Sequence, residues 1–265
     1  MKPIYQMLAA VAYKADYITR GELNKKVIIS ERDYVSVLCS RIRDSWAALG
    51  FPSLAHAQTL EGSQERIFGC DAFIAIKFND FVKIGLFEAK WPRLSQPAYP
   101  WDYVVNSPPE SHFSSQLDRQ NIWVGDVYIW EQLIHEDDYC KQSPLFDEFA
   151  SSCIPHNSAY LYNKNVRSAG VLWDSKELLQ LRSYLKVQGG QYYSSNRNIY
   201  KIICSFCNCT AGRRLKSVGG FVTVSSNNKE KHSVNIPVDA KYVNVEQMSE
   251  FMLKAGINNM LLINI

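Results

Sequence analysis

The spacing of apolar residues predicts helices at several places along the chain. Between positions 31 and 49, apolar residues recur at three- and four-residue intervals, which places them on one face of a helix. Ser30 stands where an N-cap is expected, and Gly50 and Pro52 end the pattern. Further helices are predicted at 4–15, 110–122 and 245–255, and another after the capping residue Asp174.

Two short apolar runs predict a β-hairpin over residues 70–91. They flank the polar pair Asn79-Asp80, which is typical of a tight turn. If the turn has two residues, Phe78 pairs with Phe81, and every further pair follows from that one. The register also decides which side chains share a face of the sheet, because successive residues of a strand point to opposite faces.

The outer end of this hairpin carries charged side chains. The predicted register sets Asp71 opposite Glu88, and opposed residues have Cβ atoms about 4.5–5.5 Å apart. Lys90 lies two residues beyond Glu88 and therefore points to the same face. Two carboxylates at this distance repel each other unless a proton or a cation lies between them. The patch therefore fits a hard divalent cation and a phosphate group.

Strand-like runs continue into the C-terminal half of the chain. Strands are predicted at 199–204, 220–224, 234–243 and 260–265, and the run 124–134 is either a strand or a buried helix. Proline-rich and polar stretches predict loops at 52–66 and 93–109.

Together these elements favour an α/β fold, with a central mixed sheet flanked by helices and a C-terminal α/β extension. We place the core at residues 1–135 and the extension at 136–265. The extension would complete the sheet or bind nucleic acid, and the two parts could equally form one domain.

Composition limits the class of protein. At 265 residues, with 46% hydrophobic and 21% charged residues, the chain is typical of a globular protein. It lacks the ~18–20 uninterrupted apolar residues of a membrane span, and the apolar run after Lys2 is too short for a secretion signal. Seven cysteines, an odd number spread along the chain, argue against a disulfide framework. We therefore predict a cytoplasmic protein without a membrane partner.

Three of the cysteines form a cluster. Cys204, Cys207 and Cys209 could open a zinc site if a distant residue such as His232 supplied a fourth ligand. No second Cys-x2-Cys pair exists in the sequence. We therefore favour the alternative, in which they are small buried residues on a strand.

Charge is distributed unevenly, although the net charge is only +3. The 91–160 segment is acidic, whereas the 161–265 segment is basic. A basic segment beside a cation site suits a polyanion, and the alternative is a solvated basic face. Our candidates for phosphate contacts are Arg213, Arg214 and Lys216, which lie close to a pair of glycines.

The charged residues also stand in a recognisable order. An acid, Asp71, lies on one predicted strand, and the triplet Glu88-Ala89-Lys90 lies on the next. A helix beginning at Glu31 precedes them, and a helix carrying Gln116 follows. This pattern resembles the PD-(D/E)XK nuclease superfamily, which has the restriction-endonuclease-like fold. The resemblance covers roughly residues 30–125, and Cys70 stands where the family has proline.

The resemblance implies a metal-dependent nuclease. Asp71, Glu88 and the carbonyl of Ala89 would bind Mg²⁺ or Mn²⁺, and Glu31 would hold a second ion directly or through water. Lys90 would position or help to deprotonate the attacking water and neutralise the phosphate. Gln116 would orient water or backbone. The implied substrate is DNA, and the sequence does not distinguish cleavage of DNA from cleavage of RNA.

Simpler interpretations exist for each of these residues. Glu88 and Lys90 could form an ordinary ion pair on an exposed strand, Glu31 could serve only the helix dipole, and Gln116 could be solvated. Two other acid-x-Lys triplets occur, at 174–176, where a helix cap explains it, and at 239–241, which we place on a strand without an opposed acid.

The leading alternative function is a catalytically inactive nuclease-fold module. It would bind nucleic acid, or a protein partner through the acidic 91–160 segment. The sequence also leaves open whether the chain forms a homodimer.

Overall fold

The structure is a computed structural model of the chain. It describes residues 2–58, 67–92, 95–106, 109–137, 147, 149–168, 170–187, 198–227, 232–239 and 241–265.

Helices and strands alternate through these residues. The helices are α1 (Pro3–Asn24), α2 (Glu31–Ala48), α3 (His112–Asn121), α4 (His156–Asn165), α5 (Ser175–Val187), α6 (Ile199–Cys207) and α7 (Val245–Ala255). The strands are β1 (Ser53–Ala57), β2 (Ala72–Lys77), β3 (Val82–Lys90), β4 (Val104–Asn106), β5 (Pro109–Ser111), β6 (Tyr128–Leu133), β7 (Ser152–Pro155), β8 (Phe221–Ser225), β9 (Ser233–Pro237) and β10 (Asn259–Asn264).

A six-stranded mixed sheet in the order β1-β10-β2-β3-β6-β7 forms the centre of the fold. The pairs β10–β2 and β3–β6 are parallel, and the other neighbours are antiparallel. Two small two-stranded sheets, β4–β5 and β8–β9, stand apart from it. Helices flank the central sheet, which confirms the predicted α/β class.

The predicted hairpin register is confirmed. The main-chain N–H of Phe78 donates to the carbonyl of Phe81 at 2.8 Å, and Ala72 pairs with Phe87 near the outer end. The next step of the same register is Asp71 with Glu88, and the N–H of Asp71 donates to the Phe87 carbonyl at 3.0 Å. The predicted helix at 31–49 is also present as α2, and the Ser30 hydroxyl accepts from the N–H of Asp33.

The C-terminal strand lies inside the sheet. Strand β10 pairs in parallel with β2 on one side and antiparallel with β1 on the other. Strand β7 adds an edge next to β6. Residues from both sides of position 135 therefore build one sheet.

Separate apolar cores cover the two faces of the sheet. On one face α1, α2 and α6 pack over a core that includes Trp46, Phe87 and Trp130. On the other face α7 and the β8–β9 hairpin pack over Phe73 and Leu86. A third apolar cluster joins α3, α4 and α5 around the buried Trp173. The end of β3 lies beside this third cluster.

The predicted strand at 199–204 is wrong, because these residues form α6. The side chain of Asn198 caps the helix by accepting from the N–H of Lys201. Buried Ile199, Ile202 and Phe206 recur at helical spacing and pack toward α1. A short apolar run with β-branched residues is compatible with either a strand or a buried helix. Here the long-range packing against α1 favours the helix.

The cysteine cluster therefore lies on a helix. Cys204 and Cys207 are buried on α6, Cys209 follows its end, and all three are free thiols. Among the described residues, no group of three or more His, Cys, Asp or Glu side chains is arranged to hold a metal ion. Cys204 and Cys207 are buried as predicted, but on a helix rather than on a strand, whereas Cys209 is only half-buried and its Sγ accepts from Arg214 Nε at 3.3 Å.

Two stretches predicted as loops contain strands. Strand β1 lies in the predicted loop 52–66, and β4 with β5 lies around the end of the predicted loop 93–109. These strands have only three to five residues each, and β1 pairs with β10 from the far end of the sequence. The local sequence pattern therefore gives little indication of them. The run 124–134 contains strand β6. Across the described parts of the chain, no helix combines the length and apolar character needed to cross a membrane.

A glycine in the central hairpin allows close packing. A Cβ added at Gly85 would lie 2.9 Å from Cζ3 of Trp130, whose ring is buried and stacked on Phe87. We expect Gly85→Ala to lower the free energy of unfolding by about 1–3 kcal/mol, measured by urea denaturation. The matched control is Gly21→Ala in α1, where nothing lies within 4 Å. That change should instead raise it by about 0.5–1 kcal/mol; equal effects would contradict the packing argument.

A buried histidine makes stability depend on pH. Burial, aided by the nearby Arg20 charge, lowers the pKa of His135 to about 3. In the unfolded chain a histidine has a pKa near ~6.5, so between those values the unfolded state binds a proton that the native state excludes. We expect stability to fall by about 1 kcal/mol per pH unit below ~6.5. His135→Gln should flatten this acid limb in urea denaturation at pH 5–7, and an unchanged slope would contradict the assignment.

Candidate functional site

Three structural elements bring the predicted acids together at one end of the β2–β3 hairpin. Glu31 is the first residue of α2, and its Oε2 accepts from the N–H of Trp91. Asp71 directly precedes β2, and its Oδ2 accepts from the N–H of Ala89 at 3.0 Å. Both carboxylates therefore bind the main chain around the acid-x-Lys triplet. This contact gives Glu31 a partner beyond its own helix end.

Glu88, Lys90 and Gln116 form a compact hydrogen-bonded group. Lys90 Nζ lies 2.6 Å from Glu88 Oε1, and Gln116 Nε2 donates to the same oxygen at 2.7 Å. The three residues are only 2%, 8% and 2% exposed. The ion pair is therefore buried and not part of an exposed strand face, and Gln116 is not a solvated helix residue. Lys90 Nζ also lies 5.5 Å from the ring centre of Phe113.

The charge on Lys90 responds to all three acids. Burial by itself lowers the pKa of Lys90, but the nearby negative charges outweigh burial and raise the pKa above its usual range. Those charges belong to Glu88, Glu31 and Asp71. At neutral pH Lys90 is therefore an ammonium ion, a hydrogen-bond donor. This arrangement favours the predicted role in which Lys90 positions the water, and its part in deprotonating that water stays a prediction.

A tight turn sets the position of Asp71. Gly69 has a φ of 64°, in the left-handed region that glycine adopts without strain. Gln120 Nε2 donates to its carbonyl at 2.8 Å and thereby ties the turn to α3. Between them, Gln116 and Gln120, one helical turn apart, hold both strands of the hairpin.

A second buried polar group adjoins the first and was missed by the sequence analysis. Glu131 on β6 pairs in register with Glu88 on β3, so their side chains share a face. Nδ1 of His156 lies 3.1 Å from Glu131 Oε1 and 3.0 Å from Gln120 Oε1. Glu131 and His156 are almost fully buried. The available signal was a single acid inside an otherwise apolar strand; His156 had none, since only the fold brings it here.

The C-terminal strand also contributes to the site. A cavity of 120 Å³ is lined by Glu31, Arg32, Val35, Asp71, Asn258 and Asn259. The main-chain N–H groups of Asn258 and Asn259 both donate to the carbonyl of Asp71, at 3.0 and 3.2 Å. Neither asparagine was among the predicted site residues, because both lie far beyond Asp71 in the sequence, in the last tenth of the chain.

The predicted phosphate contacts lie elsewhere. The guanidinium of Arg214 lies over the ring of Phe81, 4.9 Å from its centre, at the turn of the hairpin. Arg213 pairs with Asp126 at 3.1 Å, and Lys216 is exposed nearby. Phe81 and Glu88 are seven residues apart, about 23 Å along an extended strand. The structure therefore does not bring this basic group to the carboxylates, contrary to our expectation of a basic segment beside the site.

The two rival triplets have structural explanations. Asp174 Oδ1 accepts from the N–H groups of Lys176 and Glu177, so it caps α5 as predicted. Strand β9 ends at Pro237, so the strand predicted through 239–241 is wrong; Ala240 lies outside the described residues. Asp239 instead forms an ion pair with Lys77.

The donor atoms at the candidate site suit a hard cation. Carboxylate and carbonyl oxygens from Glu31, Asp71, Glu88 and Ala89 are the ligand types that Mg²⁺ and Mn²⁺ prefer. In the described part of the chain, however, three acidic, histidine or cysteine side chains do not already converge as a metal-binding group. A cation here would therefore also use oxygen donors other than acidic side chains, of which the Ala89 carbonyl is one.

Comparisons with protein-family models, with curated proteins and with solved structures found no match to this chain. Its function must therefore be argued from the site.

The buried ion pair predicts a specific pattern of stability. Lys90→Met removes the cation beside the buried Glu88 carboxylate, and we expect a loss of about 3–5 kcal/mol in the free energy of unfolding at pH 7. The double variant Glu88→Gln/Lys90→Met should recover much of that loss, because no uncompensated charge remains.

Urea denaturation measures both variants. The control is Lys164→Met, which breaks an exposed pair with Asp118 and should cost less than about 1 kcal/mol. If Lys90→Met were as stable as that control, the Glu88 carboxylate would not be a buried charge that depends on Lys90.

Proposed function

We propose that this protein is a metal-dependent nuclease that hydrolyses phosphodiester bonds, with DNA as its substrate. The observation that carries the proposal is the buried Lys90–Glu88 pair, 2.6 Å apart, with Asp71 bound to the intervening Ala89. The elements α2, β2, β3 and α3 follow the order that the nuclease resemblance requires. Glu31, at the start of α2, reaches the main chain next to Lys90.

Each residue has a role that follows from its position. Asp71, Glu88 and the carbonyl of Ala89 would hold Mg²⁺ or Mn²⁺, with Glu31 beside them. When bound, such an ion lowers the pKa of a coordinated water and stabilises negative charge on a phosphate. Lys90 would position or help to deprotonate the attacking water and would neutralise charge on the phosphate.

Gln116 is a positioning residue. Its amide holds the same Glu88 oxygen that Lys90 contacts, so it fixes the orientation of that carboxylate. We therefore assign it an indirect role, in place of direct contact with water.

The basic group at the hairpin turn fits a longer substrate. Successive nucleotides of a strand are ~3.4 Å apart, so the roughly 23 Å between Phe81 and Glu88 corresponds to about seven nucleotides. Arg213, Arg214 and Lys216 would bind phosphates that far from the cleaved bond.

One observation favours the alternative of an inactive nuclease-fold module. Glu88 is buried, and one of its oxygens already accepts from both Lys90 and Gln116. Such a module would bind nucleic acid, or a protein through the acidic 91–160 segment, without cutting.

An activity assay separates the two functions. Purified protein is incubated with supercoiled plasmid, linear duplex, single-stranded DNA or RNA, in Mg²⁺, Mn²⁺ or EDTA. We expect metal-dependent cutting of DNA that falls at least about 100-fold in Asp71→Asn and Glu88→Gln, because each change removes a ligand charge. The control Asp118→Asn, on the exposed face of α3, should cut like the wild type.

Three outcomes would contradict the proposal. Cutting that persists in EDTA, or that survives both substitutions, would place the chemistry elsewhere. Binding of nucleic acid without cutting of any substrate would favour the inactive module. Circular dichroism of each variant separates loss of activity from loss of fold.

A further inference from the structure

Two residues that line the cavity beside Asp71 carry amide atoms whose hydrogen-bonding capacity is unused. Asn258 Oδ1 and Asn259 Nδ2 are buried and have no hydrogen-bond partner among the described residues. Asn258 is 4% exposed and Asn259 is 1% exposed. Burying an amide group without a partner is unfavourable, so these atoms point to a ligand or ordered solvent in the cavity.

Neighbouring contacts fix the two side chains in place. Asn259 Oδ1 accepts from the hydroxyl of Ser36 on α2, which leaves its amide nitrogen as the remaining donor. The carbonyl of Asn258 accepts from the N–H of Gln58. With both asparagine N–H groups bound to the Asp71 carbonyl, the pair is held against the start of β2.

The two unused atoms have opposite character. Asn258 Oδ1 is an acceptor, and Asn258 lines the same cavity as Asp71 and Glu31, whose carboxylates favour a cation. Asn259 Nδ2 is a donor, which suits an oxygen of water or phosphate. A cavity of 120 Å³ has room for a cation and several waters, since one water occupies about 30 Å³.

We propose that Asn258 Oδ1 is a cation ligand beside Asp71 and Glu31, and that Asn259 Nδ2 donates to a phosphate oxygen of the substrate. This inference rests on the proposed nuclease function and adds residues from the C-terminal strand to its site. It supplies a further oxygen donor that is not an acidic side chain. An amide oxygen is a hard donor of the type that Mg²⁺ and Mn²⁺ accept.

Binding of Mn²⁺ alone to the full-length chain tests the first part. Isothermal titration should show that Asn258→Leu, which keeps the approximate volume, weakens Mn²⁺ binding about tenfold or more. Asn258→Asp, which retains an oxygen and adds a charge, should bind Mn²⁺ at least as tightly as the wild type. Asn235→Leu, an exposed asparagine on β9, is the control and should not change the affinity.

Substrate binding tests the second part. Asn259→Leu should leave Mn²⁺ affinity within about twofold but raise KM for DNA cleavage about tenfold, because it removes only a donor to phosphate. Thermal unfolding in EDTA checks that each variant is folded. Should Asn258→Leu fail to fold, Asn258→Asp and Asn258→Ser take its place, and loss of Mn²⁺ binding only in the serine variant supports the assignment.

The outcomes distinguish this inference from the proposed function. Wild-type Mn²⁺ affinity in folded Asn258→Leu overturns the ligand assignment, and leaves water as the occupant, while metal-dependent cutting would still stand. Unchanged KM in Asn259→Leu overturns the phosphate contact. If the wild type neither binds Mn²⁺ nor cuts DNA, the nuclease proposal fails and this inference fails with it.

Discussion

The register of the β2–β3 hairpin is the constraint on which the candidate site depends. The pairing that begins at Phe78 and Phe81 sets Asp71 against the acid-x-Lys triplet. A shift of one residue would turn Glu88 and Lys90 to the opposite face, into the apolar core beneath α1 and α2. The buried side chains on both faces make such a shift costly, so the sheet core holds the charged end of the hairpin in one arrangement.

The charged end is buried at an energetic disadvantage. Glu88 and Glu131 lie on neighbouring parallel strands; Glu88 contacts Lys90, and Glu131 contacts the imidazole of His156. Buried ion pairs are often no more stable than apolar residues of the same volume, so stability alone gives little reason for this group. The proposed nuclease function gives this group a role, whereas the further inference rests on the separate cavity that Asp71 lines with Asn258 and Asn259.

Residues from α2, from the start of β2 and from the C-terminal segment meet at this cavity. Strand β10 lies between β1 and β2, and the main chain of Asn258 and Asn259 binds the Asp71 carbonyl. A site assigned to the N-terminal half therefore includes residues from the last tenth of the sequence. The same insertion gives the central sheet one of its two parallel pairs, β10–β2, and encloses β2 between β10 and β3. The structural role of the C-terminal segment is thus inseparable from the site, while its basic residues lie at the other end of the hairpin.

The local sequence pattern was sufficient to predict those elements that are determined by residues close together in the chain. The N-cap of α2, the hairpin register, the cap at Asp174 and α7 with Gly256 in the left-handed conformation are all of this kind. By itself the sequence also determined that Asp71, Glu88 and Lys90 meet, since a two-residue turn leaves one register. Only the tertiary structure decided that 199–207 is a helix and that Glu131, His156 and Asn258 join the site. These outcomes depend on contacts between residues far apart in the chain. The apolar spacing of 199–207 fits both a strand and a helix, and an isolated polar residue in the sequence does not indicate which distant residue it will contact.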